Sequence, residues 1–169
     1  METAVRTPLE IFNLPQRLVI PLFQRAYVWT LDDQWEPLWG EIRRVAELRL
    51  KNPSVAPTHF MGAVVIQAMD GVVGTLQPRS IIDGQQRLTT LQLFIDATAA
   101  VFEELGIDHL AAQLEGLTNN PAHYVTDGNT LKLQHTNRDA GAFAEVMSAD
   151  PPVTGVLDSE ARRAGVGGS

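Results

Sequence analysis

The chain has 169 residues, 44% of them hydrophobic, enough to bury one sizeable core in a single domain. Cysteine is absent, which excludes disulfides and thiolate metal sites and agrees with a cytoplasmic location. The formal net charge of −7 argues against a DNA-binding surface covering the whole domain. Arg6, Arg17, Arg25, Arg43 and Arg44 still leave room for a local basic patch in the first third.

The N-terminus shows no signal-peptide pattern, and no apolar run is long enough to span a membrane. Residues 1–7 read as frayed, followed by a short element from Pro8 to Leu14. Arg17 to Ile20 is a predicted strand stopped by Pro21, and Leu22 to Trp29 is a loop dense in polar and aromatic groups. Asp32 or Asp33 is expected to cap a helix reaching about Leu50, with Pro37 in its first turn. Trp35, Leu38, Trp39, Ile42, Val45 and Ala46 would form its buried stripe. Phe60 to Gln67 is apolar on both alternating faces and reads as a central strand. After a turn at Asp70-Gly71, Arg79 to Ile82 returns as its antiparallel partner.

A helix from about Gln85 to Leu105 places Leu88, Leu91, Ile95, Phe102 and Leu105 on one face and ends at Gly106. Asp108 to Leu117 is a shorter helix, Leu131 to Gln134 a short strand, and Asp139 to Met147 a last helix. From Asp150 the composition turns to Pro, Gly, Ser and Ala, the pattern of a flexible linker or the truncated C-terminal edge of a larger protein.

The segment from Ser80 to Leu91 holds the densest chemistry. A β-branched run stops at Asp83-Gly84 and an amphipathic pattern starts at once, which describes a strand turning directly into a helix N-terminus. Such a terminus offers unpaired N–H groups and the positive end of the macrodipole to an anion. Gly84 lets a ligand approach the backbone, and Arg87 carries a fork suited to phosphate. Asp83 is placed to hold a metal ion or a water, or simply to cap the helix. Gln85 and Gln86 are able to orient a water or to read a base. Gln24-Arg25 repeats the Gln–Arg pairing after the first strand, flanked by Phe23, Tyr27 and Trp29, although Trp29 reads more naturally as core beneath the next helix. The two pairs are expected to converge on one ligand. Residues 135–139 form a third strand-to-helix loop of the same kind, explained equally well by helix capping. The four histidines lack metal-ligand spacing.

Asp83 to Leu91 resembles the DGQQR signature of the N-terminal domain of GmrSD-type (SspE-like) modification-dependent restriction enzymes. Ile20 to Trp29 is similar to that family's IPxYQRxYxW segment, with Phe23 where tyrosine is usual and hence without its hydroxyl. Leu38-Trp39 and the run from His59 to Ile66 add weaker matches, and the resemblance covers about residues 9 to 149.

The resemblance implies a ParB-like (sulfiredoxin-like) α/β domain with an α+β mixed sheet and the DGQQR loop at a helix N-terminus. It implies hydrolysis of a nucleoside triphosphate, GTP or another, with magnesium, and sensing of modified DNA in anti-phage defence. It further implies control of a C-terminal HNH nuclease domain of the same protein. Nothing in the sequence matches that nuclease's histidine–asparagine–histidine pattern, so the chain by itself is expected not to cut DNA. Residues 1–149 then form the nucleotide-binding and DNA-sensing domain and residues 150–169 the linker, with no membrane partner and homo-oligomerisation left open.

The expected catalytic residues are Asp83, Gln85, Gln86, Arg87, Gln24 and Arg25, with Asp83 also the metal ligand. Gly84, Thr89 and Thr90 would bind the nucleotide, unless the two hydroxyls bond the local backbone instead. Phe23, Tyr27 and Trp29 would contact DNA. Two other readings stay open. One is a non-hydrolysing sensor, in which these aromatics line an apolar pocket for the soft, weakly hydrated sulfur of a phosphorothioate. The other is a ParB-type metal-dependent DNA nuclease, for which a lone acid such as Asp83 is poor support.

Overall fold

The computed structural model describes residues 4–149. The reading of residues 150–169 as a linker lies outside them. Thr7 opens the first helix, α1 (Pro8–Phe12), with a capping box: its hydroxyl accepts the Glu10 N–H at 3.2 Å and the Glu10 carboxylate accepts the Thr7 N–H at 2.6 Å. The strand β1 (Gln16–Ile20) follows and buries every second residue, Gln16, Leu18 and Ile20. Its start is fixed by Asn120, whose amide accepts the Gln16 N–H at 3.2 Å and donates to the Gln16 carbonyl at 3.0 Å.

The helix α2 (Glu36–Lys51) is preceded by a wide π-type turn, Leu31–Trp35. Thr30, rather than Asp32 or Asp33, caps that turn by accepting the Asp33 N–H. Pro37 sits in the first turn of α2 as expected. The expected stripe is only partly covered. Leu38 is buried and Trp35, Ile42 and Val45 are half-buried, but Ala46 is exposed and Trp39 remains 51% exposed against Phe94.

The sheet has four strands in the order β2-β3-β1-β4, where β2 is Val65–Ala68, β3 is Gln77–Asp83 and β4 is Leu133–His135. β3, β1 and β4 are mutually parallel, and β2 runs antiparallel to β3. The pairing of β2 with β3 is the one expected, but β2 is an edge strand, not a central one. The apolar run before it is interrupted by Gly62 at φ +99°, and Phe60 is exposed.

Among the described residues a mixed α/β fold of four strands and five α-helices results. The long helix α3 (Gln85–Glu104) lies against the sheet through Leu88 and Ile95, and α4 (Asp108–Thr118) packs along it. Leu105, expected on the buried face, is exposed, and Gly106 ends the helix at φ +69°. Phe12, Leu18, Ile20, Ile81 and Leu133 meet these helices and Phe143 and Met147 of α5 (Ala140–Ser148) in one core. Lys132 is buried at its base, with Nζ donating to the Phe12 carbonyl, and burial holds its ammonium below the ordinary lysine range.

Candidate functional site

Because β3, β1 and β4 are parallel, their carboxyl ends share one edge. The register pairs Val19 with Ser80 and Ile20 with His135, so the loops after Ile20, Asp83 and His135 leave side by side. At the β3 end of this edge a single residue, Gly84, separates β3 from α3. It takes φ +93°, and a Cβ there would come within 2.8 Å of Val64 Cγ2. Glycine is required both by the backbone angle and by the neighbour. The N-terminus of α3 therefore sits on the sheet edge, as the sequence implies.

The polar side chains of the three loops mostly bond one another. Gln86 is 6% exposed; its Oε1 accepts the Val28 N–H at 2.9 Å and its Nε2 donates to the Ala26 carbonyl at 3.0 Å. Gln24 donates in the other direction, from Nε2 to the Ile82 carbonyl at 2.9 Å. The hydroxyls of Thr89 and Thr90 neither bond their own backbone nor stand open to a ligand. Thr89 Oγ1 meets His135 Nε2 at 3.1 Å, and Thr90 Oγ1 meets the Tyr27 hydroxyl at 2.6 Å. The third loop closes the lattice: the Asp139 carboxylate accepts the Tyr27 N–H at 2.8 Å.

Burial shapes the titrating groups here. It pushes the Tyr27 hydroxyl up to about 12, against the opposing hydrogen bond from Thr90. It also holds the His135 imidazole below its ordinary value, against Asn137 and Asp139, with the ring packed on Phe143 at 4.5 Å.

The two Gln–Arg pairs leave the same edge, but their guanidinium groups go to opposite flanks. Arg87 turns toward the β2 side, where Nη2 donates to the Ala63 carbonyl and lies 3.4 Å from Asp83 Oδ2, with Gly62 packed over the guanidinium. Arg25 lies on the β4 side and lines a cleft of about 370 Å³ with Leu22, Gln24, Ala26, Asn137 and Arg138. Arg87 does not line that cleft. The expected convergence of the two arginines is corrected accordingly.

The aromatics do not form one pocket either. Phe23 is 77% exposed, Tyr27 points inward to Thr90, and Trp29 lines a separate apolar cleft with Pro37, Leu38 and Met61. Trp29 is half-buried beside the first turn of α2 and lies outside the core cluster. Asp83 is exposed at the strand end, and Gln85 is buried with no side-chain hydrogen bond among the described residues. No group of three His, Asp or Glu side chains is placed to hold a metal among the described residues. His59 pairs with Glu41 at 3.0 Å, while Arg44 with Glu41 and Arg43 with Glu47 form the solvated face expected of them.

A strand end carrying Asp-Gly, a helix beginning on Gln-Gln-Arg, and a second loop laced to it by its own glutamine agree with a family comparison over residues 9–163, whose model is the GmrSD restriction endonuclease N-terminal domain. The chain belongs to that family. No curated protein matches it significantly. The match places this GmrSD-type domain in a DNA restriction context, and it runs past residue 149 into the segment outside the described residues. Among the described residues no helix is long and apolar enough to cross a membrane. Sequence reasoning did not place His135 or Arg138 among the site residues. Their signal was the third strand-to-helix loop, which the parallel pairing of β4 with β1 brings to the same edge.

Proposed function

We propose that this GmrSD-type N-terminal domain binds a nucleoside triphosphate, GTP or another, at the carboxyl edge of its sheet and hydrolyses it. Hydrolysis and contact with modified DNA together control a C-terminal HNH nuclease domain of the same protein. A ParB/sulfiredoxin-like ancestry of the fold belongs to the same reading. The observation that carries it is the meeting of three loops from parallel strand ends at the α3 N-terminus, where Gly84 alone joins β3 to the helix. Open α/β sheets bind ligands at such edges, and a helix start favours their phosphates.

The roles follow from which side chains are free. Gln24 and Gln86 are committed to backbone groups, so Gln85 is left to orient the attacking water. Arg25 supplies charge to the phosphates, and Arg87 steadies Asp83. The exposed Asp83 carboxylate suits a magnesium ion that keeps water and phosphate oxygens as its other ligands. That ion would neutralise phosphate charge when bound.

The exposed side chains of Leu22 and Phe23 beside Arg25 favour a second reading, a surface that senses modified DNA without hydrolysis. The nuclease reading has no comparable support, since Asp83 belongs to no cluster of metal-holding groups among the described residues.

Phosphate release from each nucleoside triphosphate, with and without modified DNA, tests the proposal. Asp83→Asn should lower turnover roughly 100-fold, in line with the loss of one transition-state stabiliser, while circular dichroism shows an intact fold. Unchanged turnover in the folded variant, or no turnover by the wild type with any nucleotide, refutes it.

A further inference from the structure

We infer that Arg138, on the loop after β4, forms an anion clamp with Arg25, and that the cleft between them takes the polyphosphate of a nucleotide. The identity of the ligand rests on the proposed function; the clamp rests on the geometry of the cleft.

Both arginines line the same cleft, and neither guanidinium has an ion-pair or hydrogen-bond partner among the described residues. Arg79 also lacks a side-chain partner among the described residues, but it does not line this cleft. Arg17, Arg43, Arg44 and Arg87 each meet a carboxylate. In a chain with a net charge of −7, acids to pair with are plentiful, so two unpaired cations lining one concavity are a local exception.

The loops explain how the exception is kept. Asp139, the acid next to Arg138 in the chain, is occupied by the Tyr27 N–H at 2.8 Å and lies 3.4 Å from the Asn137 amide. The same Asn137 amide approaches the Gln24 and Arg25 carbonyls at 3.5 Å, which ties the first loop to the third. Repulsion between the two like charges is relieved by an anion bound between them. Their planar forks suit phosphate oxygens, which accept bidentate bonds. Gln24 bonds the Ile82 carbonyl, so the cleft lies beside the strand end that leads into α3.

Calorimetric titration of the full chain with sodium tripolyphosphate, with pyrophosphate, and with a short DNA duplex tests the clamp. Arg138→Gln and Arg25→Gln should each weaken tripolyphosphate binding roughly tenfold or more, the loss expected for charged hydrogen bonds. The double variant should lose less than the product of the two. Arg43→Gln, on the solvated face of α2, should bind like the wild type. A folded Arg138→Gln protein with unchanged affinity overturns the clamp, as does an equal loss in Arg43→Gln. Arg138-dependent binding of the duplex without binding of tripolyphosphate overturns it in favour of a DNA-backbone contact. Absence of nucleotide turnover together with Arg138-dependent tripolyphosphate binding would refute hydrolysis and leave the clamp standing.

Discussion

Replacing Gln86 with alanine distinguishes architecture from chemistry at the start of α3. The side chain spans two half-buried backbone groups, accepting from Val28 N–H at 2.9 Å and donating to the Ala26 carbonyl at 3.0 Å. Truncation removes both bonds and leaves a donor and an acceptor of the loop without partners in a place where Gln86 itself is buried. Two such losses, each about 1–2 kcal/mol, predict a destabilisation of about 2–4 kcal/mol. For a domain of this size each kcal/mol moves the melting temperature by about 3 °C, so a fall of about 6–12 °C is expected. Gln86→Glu should be at least as harmful near neutral pH, because it keeps the acceptor for Val28 but turns a carboxylate oxygen toward the Ala26 carbonyl. Thermal melts followed by circular dichroism measure both variants, and Gln85→Ala serves as the comparison. A Gln86→Ala protein that melts like the wild type but no longer hydrolyses nucleotide would refute the reasoning and return Gln86 to the ligand.

Gly84→Ala should destabilise by about 2 kcal/mol or more, since φ +93° is strained for any side chain and its Cβ would lie 2.8 Å from Val64 Cγ2; a urea midpoint equal to wild type refutes this. Burial depresses the folded-state value of His135, so below about pH 6.5 the unfolded chain takes up the proton first and stability is lost as pH falls through the folded value. His135→Gln should therefore flatten the fall in melting temperature between about pH 7.5 and 5.5, and an equally steep fall in the variant sinks the assignment. Tyr27→Phe should cost about 1 kcal/mol by leaving the fully buried Thr90 hydroxyl unpaired, read as a shifted denaturation midpoint; no shift would mean the 2.6 Å contact contributes nothing.

The elements legible in the sequence were those whose signals are local. A β-branched run, a glycine and a 3.6-residue pattern are enough to specify β3, Gly84 and α3, and Gly106 marks where that helix stops. Where the outcome depends on distant partners, the pattern misled. The run from Phe60 to Gln67 looked like a central strand because it is apolar on both faces. Gly62 breaks it, and Arg87, 25 residues further on, occupies the space beneath the break. Amphipathic spacing in α2 indicated a face but not what covers it, and Trp39 touches Phe94 while staying half in solvent. Thr30 won the cap from Asp32 and Asp33 because the wide turn already begins at Leu31, ahead of both aspartates.

The site shows the same limit in sharper form. An amide side chain has the same donors and acceptors whether it faces a substrate or a backbone, so a cluster such as Gln85-Gln86 does not reveal which amide is spent on architecture. Here Gln24 reaches from the first loop to the strand end before Gly84, and Gln86 reaches back from the helix start to the first loop. Thr89 and Thr90, one turn further along the helix, bind the end of β4 and the first loop. The polarity of the motif is thus largely internal, and its effect is to make three loops one mechanical unit. A triphosphate held by Arg25 on one flank and, through magnesium, by Asp83 at the strand end would be linked to Arg87 through that unit, without direct contact between the two arginines. Packed loops and hydrogen bonds are one physical carrier of such coupling, and the bonds across this edge join the first loop to the strand end and to the helix start.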